Sequence, residues 1–189
     1  RFVGSRVKRT VEQGSAAEVI IEKAAADKST LIAMTTHGRS GLNRWLLGSV
    51  AEKVLGATTN PLLFVRAVHE GKAEGEATLK SIVVPLDGSE LAERVLPTVT
   101  EIAKKLHLEV FLFRAYSNPY SPFIGGGGLY AVNLDELRAS VRDEARNYLE
   151  EKMAELGKQG VDEMSYLLQE GVAPDEIVSV GSHTPESLI

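Results

Sequence analysis

The sequence predicts an α/β fold, a doubly wound parallel sheet present as two partial repeats, and three observations lead there. Short apolar runs such as SIVVPL and PLLFVR alternate with longer amphipathic stretches, the order that builds strands with covering helices. These runs are continuously apolar, as strands buried on both faces of a parallel sheet must be. Residues 1–32 also match 158–189 without a gap at an offset of 157. Gly14 meets Gly171, Ala16 meets Ala173, Ile20 meets Ile177, and Leu31-Ile32 meets Leu188-Ile189. An offset of that length is the size of a domain and far exceeds a solenoid repeat.

Each element follows in order. Val7–Glu12 reads as a short strand, Ala16–Ala26 as a helix, Thr30–Met34 as an apolar strand, Arg44–Leu55 as a helix and Pro61–Arg66 as a strand. The polar, Gly-containing stretch 67–79 reads as a linker. It separates the back part of one domain, 1–66, from the front part of a second, 80–189. The second opens with the strand Ser81–Leu86. A helix from Glu90 to Leu106 follows, with Ser89 as its N-cap and Pro97 set to bend or interrupt it. Glu109–Ala115 is a strand, 116–133 a long Pro- and Gly-rich loop, and Leu134–Leu156 a helix with Leu137, Val141, Tyr148 and Leu156 near one stripe. Met164–Leu168 is a strand and Pro174–Val180 a short helix. The chain opens without Met, so it is expected to be part of a longer product.

Composition excludes several functions. A net charge of −5 argues against a nonspecific nucleic-acid partner, which needs a basic surface. With no cysteine there is no disulfide, thiolate-zinc site or cysteine nucleophile, and a reducing, cytoplasmic setting is expected. No apolar run approaches the roughly 18 residues of a membrane helix, so no membrane partner is expected. His37, His69, His107 and His183 lack metal-ligand spacing, and no metal site is expected. Ser49 has no base beside it in the pattern, so no catalytic residue is assigned.

In a doubly wound sheet, ligands bind beyond the carboxyl ends of the strands, where strand order reverses. The residues there are Thr35-Thr-His-Gly38, then Gly48-Ser49-Val50, and Asp87-Gly-Ser. Glycines let backbone amides approach phosphate oxygens, the following helix offers its positive end, and a carboxylate can accept hydrogen bonds from ribose or adenine.

The stretch LIAMTTHGRSGLNRWLLGSVAEKVLGATTNPLLFVR resembles the C-terminal signature of the universal stress protein family, and SIVVPLDGSELAERVLP resembles its N-terminal signature. With the elements between them, the likeness covers nearly the whole chain. It implies the adenine-nucleotide α-hydrolase-like form of the doubly wound sheet and a tandem arrangement. It further implies a stress-response module that binds ATP, with Mg, and acts by binding and dimerisation, with at most weak ATP hydrolysis. By this resemblance Gly38, Gly48 and Ser49 hold the phosphates with Val50 beside them, Met34 lies near the nucleotide, Pro85, Leu86 and Asp87 meet the adenosine part, and Ala115 sits against the base. ATP-binding members carry Gly where this chain has Thr35, and a Cβ there can restrict close backbone approach. The alternative is a scaffold or regulatory domain of the same fold that binds no nucleotide. The family's last strand pairs across a dimer or between tandem repeats, and Pro61–Arg66 occupies that place. Met34–Val50 and Asp87–Ala115 belong to different copies, and they meet in one pocket only if the chain folds like a circular permutant. Because 1–30 would then duplicate 158–187, two partial domains of a longer protein are the favoured arrangement.

Overall fold

A computed structural model of the chain describes residues 7–35, 47–65, 78–117, 134–184 and 186–189. The chain forms two compact units, Arg1–Glu74 and Gly75–Ile189.

The first unit contains α1 (Ala16–Ala25), β1 (Ile32–Thr35), α2 (Ser49–Ala57) and β2 (Leu62–Val65). β1 and β2 pair in parallel, with Ile32 opposite Leu62 and Thr35 opposite Val65. Ala17, Ala24, Ile32 and Val54 form the core, with Ile20, Ile21, Met34 and Leu62 packed against it. β1 begins two residues later than the apolar run suggests because Thr30 is spent on a turn: its N–H donates to the Asp27 carbonyl, and Ser29 donates to the Asp27 carboxylate. Asn60 ties the unit together from within. It is buried, and its side-chain amide lies 3.1, 2.9 and 3.3 Å from the carbonyls of Ala24, Asp27 and Thr30.

Two expectations change here. Val7–Glu12 is irregular, with Val7 and Val11 exposed. It has no ladder partner among the described residues, and a strand needs a neighbour to take its backbone hydrogen bonds. The helix expected from Arg44 starts at Ser49. Residues 44–46 lie outside the described residues, and Gly48 precedes the helix in an extended conformation, ψ 147°.

The second unit contains β3 (Ser81–Pro85), α3 (Glu90–Glu93), α4 (Leu96–Leu106), β4 (Glu109–Tyr116), α5 (Leu134–Lys158), β5 (Met164–Glu170), α6 (Ala173–His183) and β6 (Ser187–Leu188). Its four strands lie in the order β5-β4-β3-β6, all parallel. Ser89 caps α3 by accepting the Ala92 N–H at 3.1 Å. Pro97 divides the expected long helix: α3 ends at Glu93 and α4 restarts with proline in its first turn, where its missing N–H costs nothing.

Strand alternation sends residues to the two faces of this sheet. Val84, Val110 and Leu112 join Leu96, Val99, Leu149 and Leu156 in one cluster beneath α4 and α5. The buried stripe of α5 runs through Ala145, Leu149 and Leu156, while Leu137 is exposed. Phe113, on the opposite face of β4 from Leu112, points toward α6. The sequence repeat has a structural counterpart. α1 and α6 begin at Ala16 and Ala173, and each follows a glycine at positive φ, Gly14 at 144° and Gly171 at 157°.

Candidate functional site

Strand order in the second unit reverses beside β3: the chain moves outward to β4 and β5, then returns to place β6 on the far side of β3. At the carboxyl ends of β3 and β4 lies an open cleft of about 280 Å³, where the topology favours ligand binding. Pro85, Leu86, Asp87 and Ala115 line it, together with Ala92, Phe113, Ala173 and Ile177.

Backbone bonds set the first three residues. Pro85 ends β3, and the Leu86 N–H donates to the Phe113 carbonyl at 2.8 Å, carrying the ladder one residue further. The chain then turns sharply through Gly88 at φ 89°, a conformation that glycine adopts without strain. Asp87 stays exposed, and its carboxylate accepts the Ser89 N–H at 2.9 Å. Hydrogen bonds from the Ser89 hydroxyl and amide, with added attraction from Arg114, hold its carboxyl below the usual carboxylate range. Among the described residues lining the cleft, Asp87 is the only ionisable one. Such a surface can seat a flat heterocycle on its apolar floor and accept hydrogen bonds from hydroxyl or amine donors at one edge.

The remaining candidates belong to the first unit. Met34 is half-buried in β1 and packs on that unit's core, and Thr35 is the exposed last residue of β1. Gly48 stands just before α2, while Ser49 and Val50 open that helix and are exposed. The Glu52 N–H donates to the Gly48 carbonyl at 2.9 Å, so amides of the preceding residues have no partner within the helix and present positive charge. Gly38, His37, Arg39 and Arg44 lie outside the described residues.

Sequence reasoning missed Ala92, Phe113, Ala173 and Ile177 as lining residues. The internal repeat carried a signal for two of them, because Ala173 and Ile177 are the positions that match Ala16 and Ile20. A second cleft, of about 260 Å³, includes Lys104, His107, Asp162 and Glu163 at the amino ends of β4 and β5. That end of a parallel sheet is not where such folds place ligands. Among the described residues, no group of three or more His, Asp or Glu side chains could hold a metal ion. No helix among them is long and apolar enough to cross a membrane.

The sequence pattern of the Universal stress protein family matches residues 1–66. Over 63 residues the chain is 41% identical to a universal stress protein of Methanocaldococcus jannaschii, a match covering 33% of this chain and 37% of the relative. The segment 1–66 belongs to the universal stress protein family. The solved structure of a universal stress protein from Archaeoglobus fulgidus superposes with a TM-score of 0.56 at 20% identity, covering 88% of this chain and 51% of that one. It shows that the universal stress protein fold extends beyond the matched segment. The structure of a universal stress protein, UspA, from Lactobacillus plantarum gives a TM-score of 0.47 at 16% identity, over 59% of this chain and 74% of that one. The chain thus spans little more than a third of the length of the curated relative that it matches.

Proposed function

We propose that this chain is a nucleotide-binding stress-response module that takes up the adenosine part of ATP in the cleft of the second unit, and acts by binding and dimerisation with little or no turnover. One observation carries the reading: the run Pro85-Leu86-Asp87 and Ala115, distant from it in sequence, line one cleft beside the strand-order reversal. The fit favours a nucleoside part. A space of about 280 Å³ stands just below the ~300–1,000 Å³ of typical small-molecule sites. Its walls are apolar, and Asp87 is held ionised for donors such as ribose hydroxyls. Phosphates would fall to amides of the kind that Gly48, Ser49 and Val50 present at the start of α2, with Met34 and Thr35 at the end of the preceding strand. ATP with Mg supplies an anionic tail for such amides. In this reading 1–66 and 80–189 are parts of two tandem domains joined through 67–79.

Dimerisation rests on β2. It pairs with β1 on one side, and its other edge has no strand partner among the described residues. Apolar edges of this kind invite pairing with another strand. Static light scattering should show a concentration-dependent dimer that Val65→Lys weakens; a monomer at every concentration would remove this part of the proposal.

A second reading, a scaffold or regulatory domain without nucleotide, is favoured by Thr35, whose Cβ replaces the glycine of ATP-binding relatives. Calorimetric titration with ATP and Mg separates the two. Binding releases heat and raises the melting midpoint by mass action. No heat and no shift at millimolar ATP would leave the scaffold reading.

A further inference from the structure

The helix that follows Asp87 has little to hold it. α3 is four residues long, fully buries none of them and rests on the core through the partly buried Ala92, so apolar packing contributes little to its placement. A ring of polar contacts surrounds it instead. The Arg114 guanidinium lies flat against Gly88: Nη1, Nη2 and Cζ stand 3.5, 3.6 and 3.7 Å from the point a Cβ would occupy. The same guanidinium lies over the Tyr148 ring, 5.0 Å from its centroid. The Tyr148 hydroxyl donates to Glu93 at 2.9 Å, and the other Glu93 oxygen meets Lys152 Nζ at 2.9 Å. Glu93 is the last residue of α3, so the ring closes from the turn through α3, α5 and β4 back to the turn.

We infer that Arg114, Tyr148, Glu93 and Lys152 form a clamp that fixes the Asp87–Ser89 turn, and so act as positioning residues for the adenosine part of the ligand; its ligand side rests on the nucleotide reading above. Arg114 suits this role because a planar guanidinium can stack on a ring and lie flat against a backbone, whereas a lysine ammonium is a point charge. Gly88 completes it, because any other residue there would have to adopt a strained φ of 89°. The residues stand on the face of β4 opposite Ala115, so they reach the cleft through the turn and need not touch the ligand.

Amide hydrogen exchange tests the clamp in the full chain. The reporters are the Ser89 N–H, bonded to Asp87, and the Ala92 N–H, bonded to Ser89. Tyr148→Phe keeps the ring and loses only the hydroxyl. It should speed exchange at both amides about tenfold, the loss of one hydrogen bond to a charged acceptor, and leave the β3–β4 ladder unchanged. Arg114→Lys should give a similar acceleration, since charge without the flat face does not restore the contact. Glu93→Gln added to Tyr148→Phe should add less than Glu93→Gln costs alone, because the two single changes share the Tyr148–Glu93 bond. Affinities for adenosine and for ATP should fall by the same factor. Unchanged exchange at both amides in Tyr148→Phe and Arg114→Lys, or fully additive effects, overturns the clamp. If the wild-type chain binds neither adenosine nor ATP, the nucleotide reading fails, and the exchange result still decides the clamp.

Discussion

The two units differ in opposite directions in sequence and in structure. The segment 1–66, whose sequence is recognised as universal stress protein, folds as a two-stranded sheet on a core of Ala17, Ala24, Ile32 and Val54. The second unit lies outside that match, yet among the described residues it carries four strands and a core that includes Leu96, Val99, Leu112, Leu149 and Leu156. Among the described residues, the segment matched by the family pattern therefore has the smaller core of the two. Signatures of this kind are dense in glycine and small polar residues because backbone must come close to a ligand, and such residues bury little apolar surface. The core of the second unit is built largely from aliphatic residues, which can replace one another when volume is kept.

The sharpest way to break this comparison is to cut each core at a fully buried residue. Leu112→Ala should cost about 2–5 kcal/mol of unfolding free energy, whereas Val54→Ala, with fewer atoms removed, should cost about 2 kcal/mol. Both residues are 0% exposed, so chemical denaturation compares them directly, and a larger loss at Val54 would reverse the argument. The smaller core should lean more on polar ties. Asn60→Ala should destabilise the first unit by about 1 kcal/mol, because it removes side-chain hydrogen bonds that reach the Ala24, Asp27 and Thr30 carbonyls; no change in its amide exchange would show that water replaces the side chain. The mildest effect is alkaline and belongs to the second unit. Burial, then the hydrogen bond to Glu93, pushes the Tyr148 phenol up from 10.0 to about 12, and Glu93 likewise raises Lys152 to about 12. A raised pKa means that the contribution is complete below about pH 10 and lost as pH climbs toward 12. Denaturation midpoints should fall less steeply across that window in Tyr148→Phe than in wild type, and equal slopes would mean that the phenol carries none of the dependence.

Much of the architecture was legible because it depends on local chemistry. Apolar runs marked β1 through β5, Ser89 marked a cap, Pro97 marked a break, and the offset between Gly14 and Gly171 anticipated two helices beginning at matching places. Features that depend on distant partners were not legible. Val7–Glu12 has two valines and, among the described residues, no neighbouring strand, so it is irregular. The α5 stripe runs through Ala145 and Leu149 rather than Leu137, because the contact is set by where β4 and β5 lie beneath the helix. Of the candidate site, Pro85, Leu86, Asp87 and Ala115 could be named from motif and strand ends. Phe113 could not, since only the fold brings that strand face and a helix together. The Arg114–Tyr148–Glu93–Lys152 ring was equally hidden, as its members are spread over three elements.

The central claim is that the cleft at the ends of β3 and β4 receives an adenosine-bearing ligand. Amide exchange of the full chain with and without saturating adenosine or ATP tests it most directly. The account predicts slower exchange at Leu86 to Ser89 and around Ala115. Unchanged exchange there, or protection confined to the amino-end cleft at Lys104 and His107, would contradict it.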